Sequence, residues 1–271
     1  MKLLFAYSIE DSVSLGVADE LKSLLGMEHD MEINGNRHFI QGDGIEMIEL
    51  GTSLVNADYV EGLVKADLIV FLSRHRSAKG VTAFTVHPEG NWGTAAELGG
   101  RPKELGVSSP VNMLRFMRCL KAAASEAGSD AQVVYEATHH GPLLKTPSFF
   151  AELGGNQEAM DSTKLRSALA DAAFRFTHPE NDTSGYSKIV VHIGGLHYSG
   201  RATQLAMEKG YAFAHIMPKY YVAETDMLQQ AMKRSDMPPE LALVEWKSIN
   251  ADKRNMVLDK LKELGIDYER V

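Results

Sequence analysis

The chain has 271 residues, 44% of them hydrophobic, enough to bury a large core in one large domain or two closely packed ones. With 28 Lys and Arg against 36 Asp and Glu the net charge is −8, which excludes a broad basic surface that coats nucleic acid but leaves room for a small basic pocket. No apolar run approaches the roughly 20 residues that cross a bilayer, the opening MKLLFAYSIEDS is too short in apolar residues for a signal peptide, and the lone Cys119 excludes an intrachain disulfide, so a cytoplasmic, non-membrane protein is expected.

Lys2 to Tyr7 reads as a buried strand, and Asp11 to Leu25 as a helix with one apolar stripe (Val13, Val17, Leu21, Leu24, Leu25), closed by Gly26. In Met31 to Ile40, the pair Asn34-Gly35 suggests a hairpin turn, and Ile45 to Leu50 extends the same sheet. Buried strands are expected at Asp67 to Leu72, Val81 to His87, Gln132 to Thr138, Lys188 to Ile193 and Ala212 to Ile216. Ser109-Pro110 opens a helix that runs to Ala127, before Gly128; Cys119 reads as a buried thiol on it. Further helices are expected over Asn156 to Phe174, Ser199 to Lys209 and Asn250 to Leu264, and a loop over Glu180 to Ser187. The alternation predicts a single α/β domain over residues 1–271, its mainly parallel or mixed sheet covered by helices.

Ten histidines are present, and seven of them (His75, His87, His139, His140, His192, His197 and His215) fall at or just after the ends of expected strands. In an open parallel sheet those ends share one edge, where ligands bind. Taken alone, His192 and His215 read as hydrogen-bonded structural residues. The doublet in Glu136-Ala-Thr-His-His-Gly-Pro142 does not, because a strand that stops in a turn gains nothing structural from two imidazoles. If the strand persists, Glu136, Thr138 and His140 share a face, which suits either an oriented general base or a metal ligand with its partner. The Gly194-Gly195 loop joins a strand to a helix and could present N–H groups to an anion, with Arg201 close by, or be an ordinary tight turn. Three basic patches, Arg74 to Arg76 with Lys79, Arg101 with Lys103, and Arg115 with Arg118 and Lys121, read as solvated faces unless they lie beside the histidines. No zinc-finger spacing, HExxH, GxSxG or P-loop motif occurs.

Taken together, Ser73-Arg-His75, Thr85-Val-His87 with Gly90-Asn91, the Glu136 to Pro142 stretch, His192-Ile-Gly-Gly-Leu-His-Tyr198 with Arg201 and Thr203, and His215 to Tyr220 resemble the archaeal and plant type of D-aminoacyl-tRNA deacylase. The motifs occur in that family's order across roughly residues 70 to 220; Phe150 to Gly155 and Ala214 depart from its usual pattern. The resemblance implies a hydrolase of the ester between a D-amino acid and the 3′ end of tRNA, with zinc as cofactor and a fold similar to peptidyl-tRNA hydrolase and the nucleoside phosphorylases. Fitted to that chemistry, His139 and His140, with Glu136 as orienter or base, form the reaction centre. His75, His87, His197 and His215 are candidates for metal or substrate contacts. Arg74, Gly194, Gly195, Tyr198, Arg201 and Lys219 face the acceptor end of D-aminoacyl-tRNA, the one partner implied; no stable protein partner is. Two competing readings are a small-molecule hydrolase or phosphorylase with a closed pocket, and a non-catalytic tRNA-binding protein.

Overall fold

Strand β1 (Leu3–Ser8) leads into helix α1 (Ser12–Leu25), which Asp11 starts by accepting hydrogen bonds from the N–H groups of Val13 and Ser14 and which Gly26, at φ 63°, ends. The computed structural model describes residues 1–42, 44–75, 80–178 and 185–271. The expected hairpin is formed by β2 (His29–Ile33) and β3 (Asn36–Gln41), with Asn34 and Gly35 at φ 50° and 79°, and β4 (Ile45–Leu50) continues it. Then come α2 (Val60–Leu63), β5 (Leu68–His75), β6 (Ala83–His87), the short pair β7 (Gly90–Asn91) and β8 (Glu104–Leu105), and α3 (Pro110–Glu126). Strands β9 (Gln132–Tyr135) and β10 (Ser148–Gly154) precede α4 (Gln157–Asp161) and α5 (Thr163–Phe176). The single helix expected over Asn156 to Phe174 is split because Ser162 takes an extended ψ of 112° and caps α5 through the N–H of Leu165. The rest forms β11 (Lys188–Ile193), α6 (Gly200–Lys209), β12 (Tyr211–Met217), α7 (Leu228–Ala231), β13 (Leu241–Val244), α8 (Ala251–Glu263) and β14 (Tyr268–Arg270). Residues 180–184 of the expected loop lie outside the described residues.

Eight strands form one sheet in the order β2-β3-β4-β1-β5-β10-β6-β9, and four form a second, all-parallel sheet in the order β12-β11-β13-β14. The α/β class is as expected. The large sheet is mixed: β10 is parallel to β5 but antiparallel to β6, and β6 is parallel to β9. The ends of β5 and of β6 therefore point in opposite directions, so the histidines there do not share one carboxyl edge as the sequence suggested. β10, absent from the sequence reading, lies between them.

Alternation along the strands sends Phe5, Tyr7, Val70, Phe149 and Phe84 to one face, where α1, α3 and α5 supply Val17, Leu21, Phe116 and Phe176. Each fully buried Phe contributes about 1.5–3 kcal/mol of transfer free energy. Ile189, Phe213 and Leu243 of the second sheet join the same cluster, so the two sheets share a core. On the opposite face Leu4, Ile69, Phe71 and Phe150 pack under Leu54, Val60 and Leu144, which come from connecting segments and α2 rather than from long helices. The polar residues of the site lie on this face. Among the described residues no helix is long and apolar enough to cross a membrane. Cys119 is half-buried against the main core rather than buried.

Candidate active site

Strand register assembles the site. β10 sets Glu152 between Ser73 of β5 and Thr85 of β6, sets Gly154 beside His75, and sets Phe150 beside His87. Since Thr85 pairs with Val134, the alternation carries Glu136 to the side of His87 just beyond the end of β9. Histidines from strands that run in opposite directions thus meet on a face of the sheet. Gly154 is required there: a Cβ at that position would stand 2.8 Å from the Cβ of His75. Beyond β9 the backbone turns at His140, whose φ is 43°, a left-handed conformation that breaks strand alternation. As a result both rings of the doublet line the same pocket. Ring centroids lie 4.3 Å apart for His139 and His140, 4.1 Å for His87 and His139, 4.8 Å for His87 and His140, and 4.4 Å for His139 and His197.

Three of these rings are held in the same way. Nδ1 of His139 stands 2.8 Å from the carbonyl of Ala137, that of His140 2.6 Å from the carbonyl of Gly141, and that of His87 3.2 Å from the carbonyl of Pro88. A carbonyl only accepts, so each Nδ1 donates, and a ring that carries that one proton keeps its lone pair on Nε2. Burial, followed by the neighbouring imidazoles, pushes His139 well below its ordinary pKa. The same causes bring His140 to about 3 and His197 to about 4.

Two carboxylates complete the cluster. His75 Nδ1 is 3.3 Å from Oε1 of Glu136 and 3.3 Å from Oε2 of Glu152, and His197 Nε2 is 3.5 Å from Oε1 of Glu136. Burial and then the Glu152 charge raise Glu136 well above the usual carboxylate range. Burial would raise Glu152 too, but the approach of His75 and His87 outweighs it and holds Glu152 below that range. Within one site the environment separates two carboxyl groups.

The donors fit a metal ion. One ligand atom from each of His87, His139 and His140 lies within 4.8 Å of the others, and the same holds for Glu136, His139 and His197 and for His75, Glu136 and Glu152. His87 Nε2 and both Glu136 oxygens are buried and complete no hydrogen bond among the described residues. His87 Nε2 stands 3.6 Å from the Glu152 carboxylate, and a cation held there would meet both groups.

The pocket has a volume of about 530 Å³ and is lined by His75, His139, His140, His197 and Glu152, together with Arg74, Glu10 and Asp11. Among the described residues Arg74 is the one lysine or arginine of the three sequence patches that lines it; Arg76 and Lys79 lie outside those residues. Arg101 and Lys103 pair with Glu104 and Glu224, Arg115 stacks on Phe176, and Arg118 bonds the carbonyl of Gly185. Tyr198 sits near the site, its ring 5.5 Å from that of His75.

The remaining candidates are placed elsewhere. Buried His215 stands with Nδ1 3.3 Å from Oγ1 of Thr138 and Nε2 2.8 Å from the carbonyl of Arg234, so neither nitrogen is left for a metal. The Gly194 N–H donates to the carbonyl of Met217 and the Gly195 N–H to Oγ of Ser248, so the loop is a packed turn rather than an anion cradle. Arg201 lines a different groove, and Lys219 is exposed, its N–H donating to the carbonyl of Gly195. Sequence reasoning missed Glu152, which sits in the unforeseen strand β10, and Tyr220, whose hydroxyl is 3.2 Å from Nδ1 of His197.

The sequence model of a family described as D-aminoacyl-tRNA deacylase matches residues 63–269. A D-aminoacyl-tRNA deacylase of Ignicoccus hospitalis is 38% identical over 83% of this chain and 88% of its own length. Those of Staphylothermus marinus and Thermococcus kodakarensis are 29% and 28% identical, covering 98% and 100% of both chains. A crystal structure of a conserved protein of unknown function superimposes with a TM-score of 0.88 at 25% identity, covering 100% of this chain and 95% of that one. The chain belongs to the D-aminoacyl-tRNA deacylase family.

Proposed function

We propose that the histidine and carboxylate cluster hydrolyses the ester between a D-amino acid and the 3′ end of tRNA, with zinc as its cofactor. Residues 1–271 act as one catalytic domain in the cytoplasm. The observation that carries the reading is the set of three imidazoles, each with Nδ1 tied to a carbonyl and one ligand atom within 4.8 Å of those of the other two. Zinc accepts neutral imidazole, and His87, His139 and His140 would hold it; His75, His197 and the carboxylates surround that position. Bound there, zinc would lower the pKa of a water towards about 7 and polarise the ester carbonyl.

The chain's own groups supply the proton path. Glu136, buried and raised, takes the proton of the attacking water on a carboxylate oxygen and returns it to the 3′ oxygen as the acyl carbon–oxygen bond breaks. His75 and His197 both approach Oε1 of Glu136, at 3.3 and 3.5 Å. Glu152, kept ionised, orients His75 and balances the site's positive charge. Arg74 at the pocket rim faces the incoming acceptor end.

Deacylation of D- and L-aminoacyl-tRNA, with and without a chelator, tests the proposal. The D-ester is cleaved faster, and chelation stops the reaction. Equal rates on the two esters would overturn chiral selection, and turnover indifferent to the chelator would overturn the role of zinc.

A further inference from the structure

Several cations of this acidic chain pair with carboxylates close by. Arg101 and Arg234 pair with Glu104, Lys103 with Glu224, Arg175 with Glu126 and Lys188 with Glu269. One place differs. At the carboxyl ends of the second sheet, Arg201, Lys247 and Arg270 line a groove of about 460 Å³ beside Trp246. Among the described residues, none of these three lies within 4.0 Å of a carboxylate. The one acidic side chain lining the groove, Glu245, is 3.4 Å from Nε2 of buried His192. The guanidinium of Arg270 stacks 3.9 Å from the Trp246 ring, an arrangement that fixes the cation while leaving its in-plane donors for a second partner.

A short ridge separates this groove from the histidine pocket. Gly195 packs on Glu245 of the groove, since a Cβ there would stand 2.6 Å from Oε2 of Glu245, while His197, two residues on, lines the pocket. Leu196 between them is 60% exposed. Tyr220, which reaches His197 through its hydroxyl, is 52% exposed, and Lys219 beside it is also exposed. Unpaired cations, a half-buried indole and a ridge of exposed apolar side chains are the elements with which proteins track a single strand of RNA. The Trp246 ring, stacked by both Arg254 and Arg270, fixes cations that meet phosphates, and bases stack on the exposed ring of Tyr220.

We propose that the Trp246 groove binds the phosphates of the acceptor arm where its unpaired 3′ strand begins, and that this strand crosses the Leu196 and Tyr220 ridge into the histidine pocket. The inference rests on the deacylase reading and assigns that substrate a second site. It also gives Arg201 and Lys219 a place: they face the path to the reaction centre instead of the reaction centre itself.

The test measures binding of deacylated tRNA across salt concentrations for the wild type, a Lys247→Gln/Arg270→Gln double variant, and, as a control, Lys121→Gln at an exposed position of α3. The double variant is expected to bind about tenfold more weakly, with the slope of log K against log salt reduced by about 1.4 to 1.8, two phosphate contacts' worth. Lys121→Gln keeps the wild-type affinity and slope. Removing the unpaired 3′ end from the RNA weakens the wild type but adds little to the double variant. Wild-type affinity and slope in the double variant, or full additivity of the two losses, would overturn the groove while D-aminoacyl-tRNA hydrolysis by the wild type still stands. A wild type that neither binds tRNA nor cleaves its D-ester overturns the deacylase reading and the groove with it.

Discussion

On the large sheet, His87, His139 and His140 each give Nδ1 to a backbone carbonyl and leave Nε2 among the other rings. On the second sheet, His215 engages Thr138 through Nδ1 and the carbonyl of Arg234 through Nε2. Both sets are buried or nearly so, and both sit at the ends of strands. Burial and a place at a strand end therefore say little about role. The second ring nitrogen decides: when it meets a protein acceptor or donor the histidine is a pin, and when it is left open beside other open nitrogens it is a ligand or a catalyst.

Substitution at His140 presses hardest on this contrast. His140→Ala removes one open Nε2 and little packing, and its loss relieves neighbouring imidazoles that disfavour one another's charge. The expected fall in kcat/KM on D-aminoacyl-tRNA is roughly 10²–10⁴-fold, with the melting transition kept. Turnover that persists in folded His140→Ala protein would take the residue out of the mechanism.

Next in size is Glu152→Gln. The amide keeps the shape but not the charge that His75 and His87 face at 3.3 and 3.6 Å. A neutral neighbour orients these rings less firmly, so zinc affinity and activity are expected to fall about 10–100-fold. Titration of the metal-free protein with zinc reads this directly, and unaltered affinity would remove Glu152 from the support of the site.

The chance of reading these residues in the sequence depended on how each type usually behaves. Continuous apolar runs such as Leu68 to Leu72 and Lys188 to Ile193 declare buried strands, so the α/β class was legible. Ser148 to Gly154 was not, because its short apolar stretch follows two prolines and is interrupted by Glu152, a residue type almost never buried without partners. Those partners, His75 and His87, come from β5 and β6, far from Glu152 in sequence. The doublet was legible because two adjacent imidazoles at a strand end have no local structural use. Its geometry was not: the left-handed turn at His140, which brings both rings into one pocket, is a backbone conformation rather than a pattern of residue types. Gly194-Gly195 misled in the opposite sense, since a glycine pair looks the same whether its N–H groups await an anion or, as here, are already taken by Met217 and Ser248.

The smallest expected effect on activity belongs to His215→Gln, and it sharpens the contrast from the other side. Burial lowers the pKa of His215 from 6.5 to about 4, the carbonyl of Arg234 only partly opposing it. Between those values the unfolded chain binds a proton that the folded chain refuses, so the stability this neutral residue contributes is fully present above pH 6.5 and is lost as pH falls towards 4. The shift corresponds to about 3 kcal/mol over that window. Glutamine does not titrate, so the variant is less stable than the wild type at pH 7 through its imperfect hydrogen bonds, and the difference shrinks or reverses at pH 5. The lowered pKa values of His139, His140 and His197 add their own acid sensitivity, but they do so in both proteins and cancel in the comparison. Melting curves at the two pH values measure the effect, while turnover per folded molecule and zinc stoichiometry stay at wild-type levels. If His215→Gln instead loses zinc in step with His87→Ala, then the pinned histidine is a ligand after all, and the open second nitrogen is not what separates the two sets.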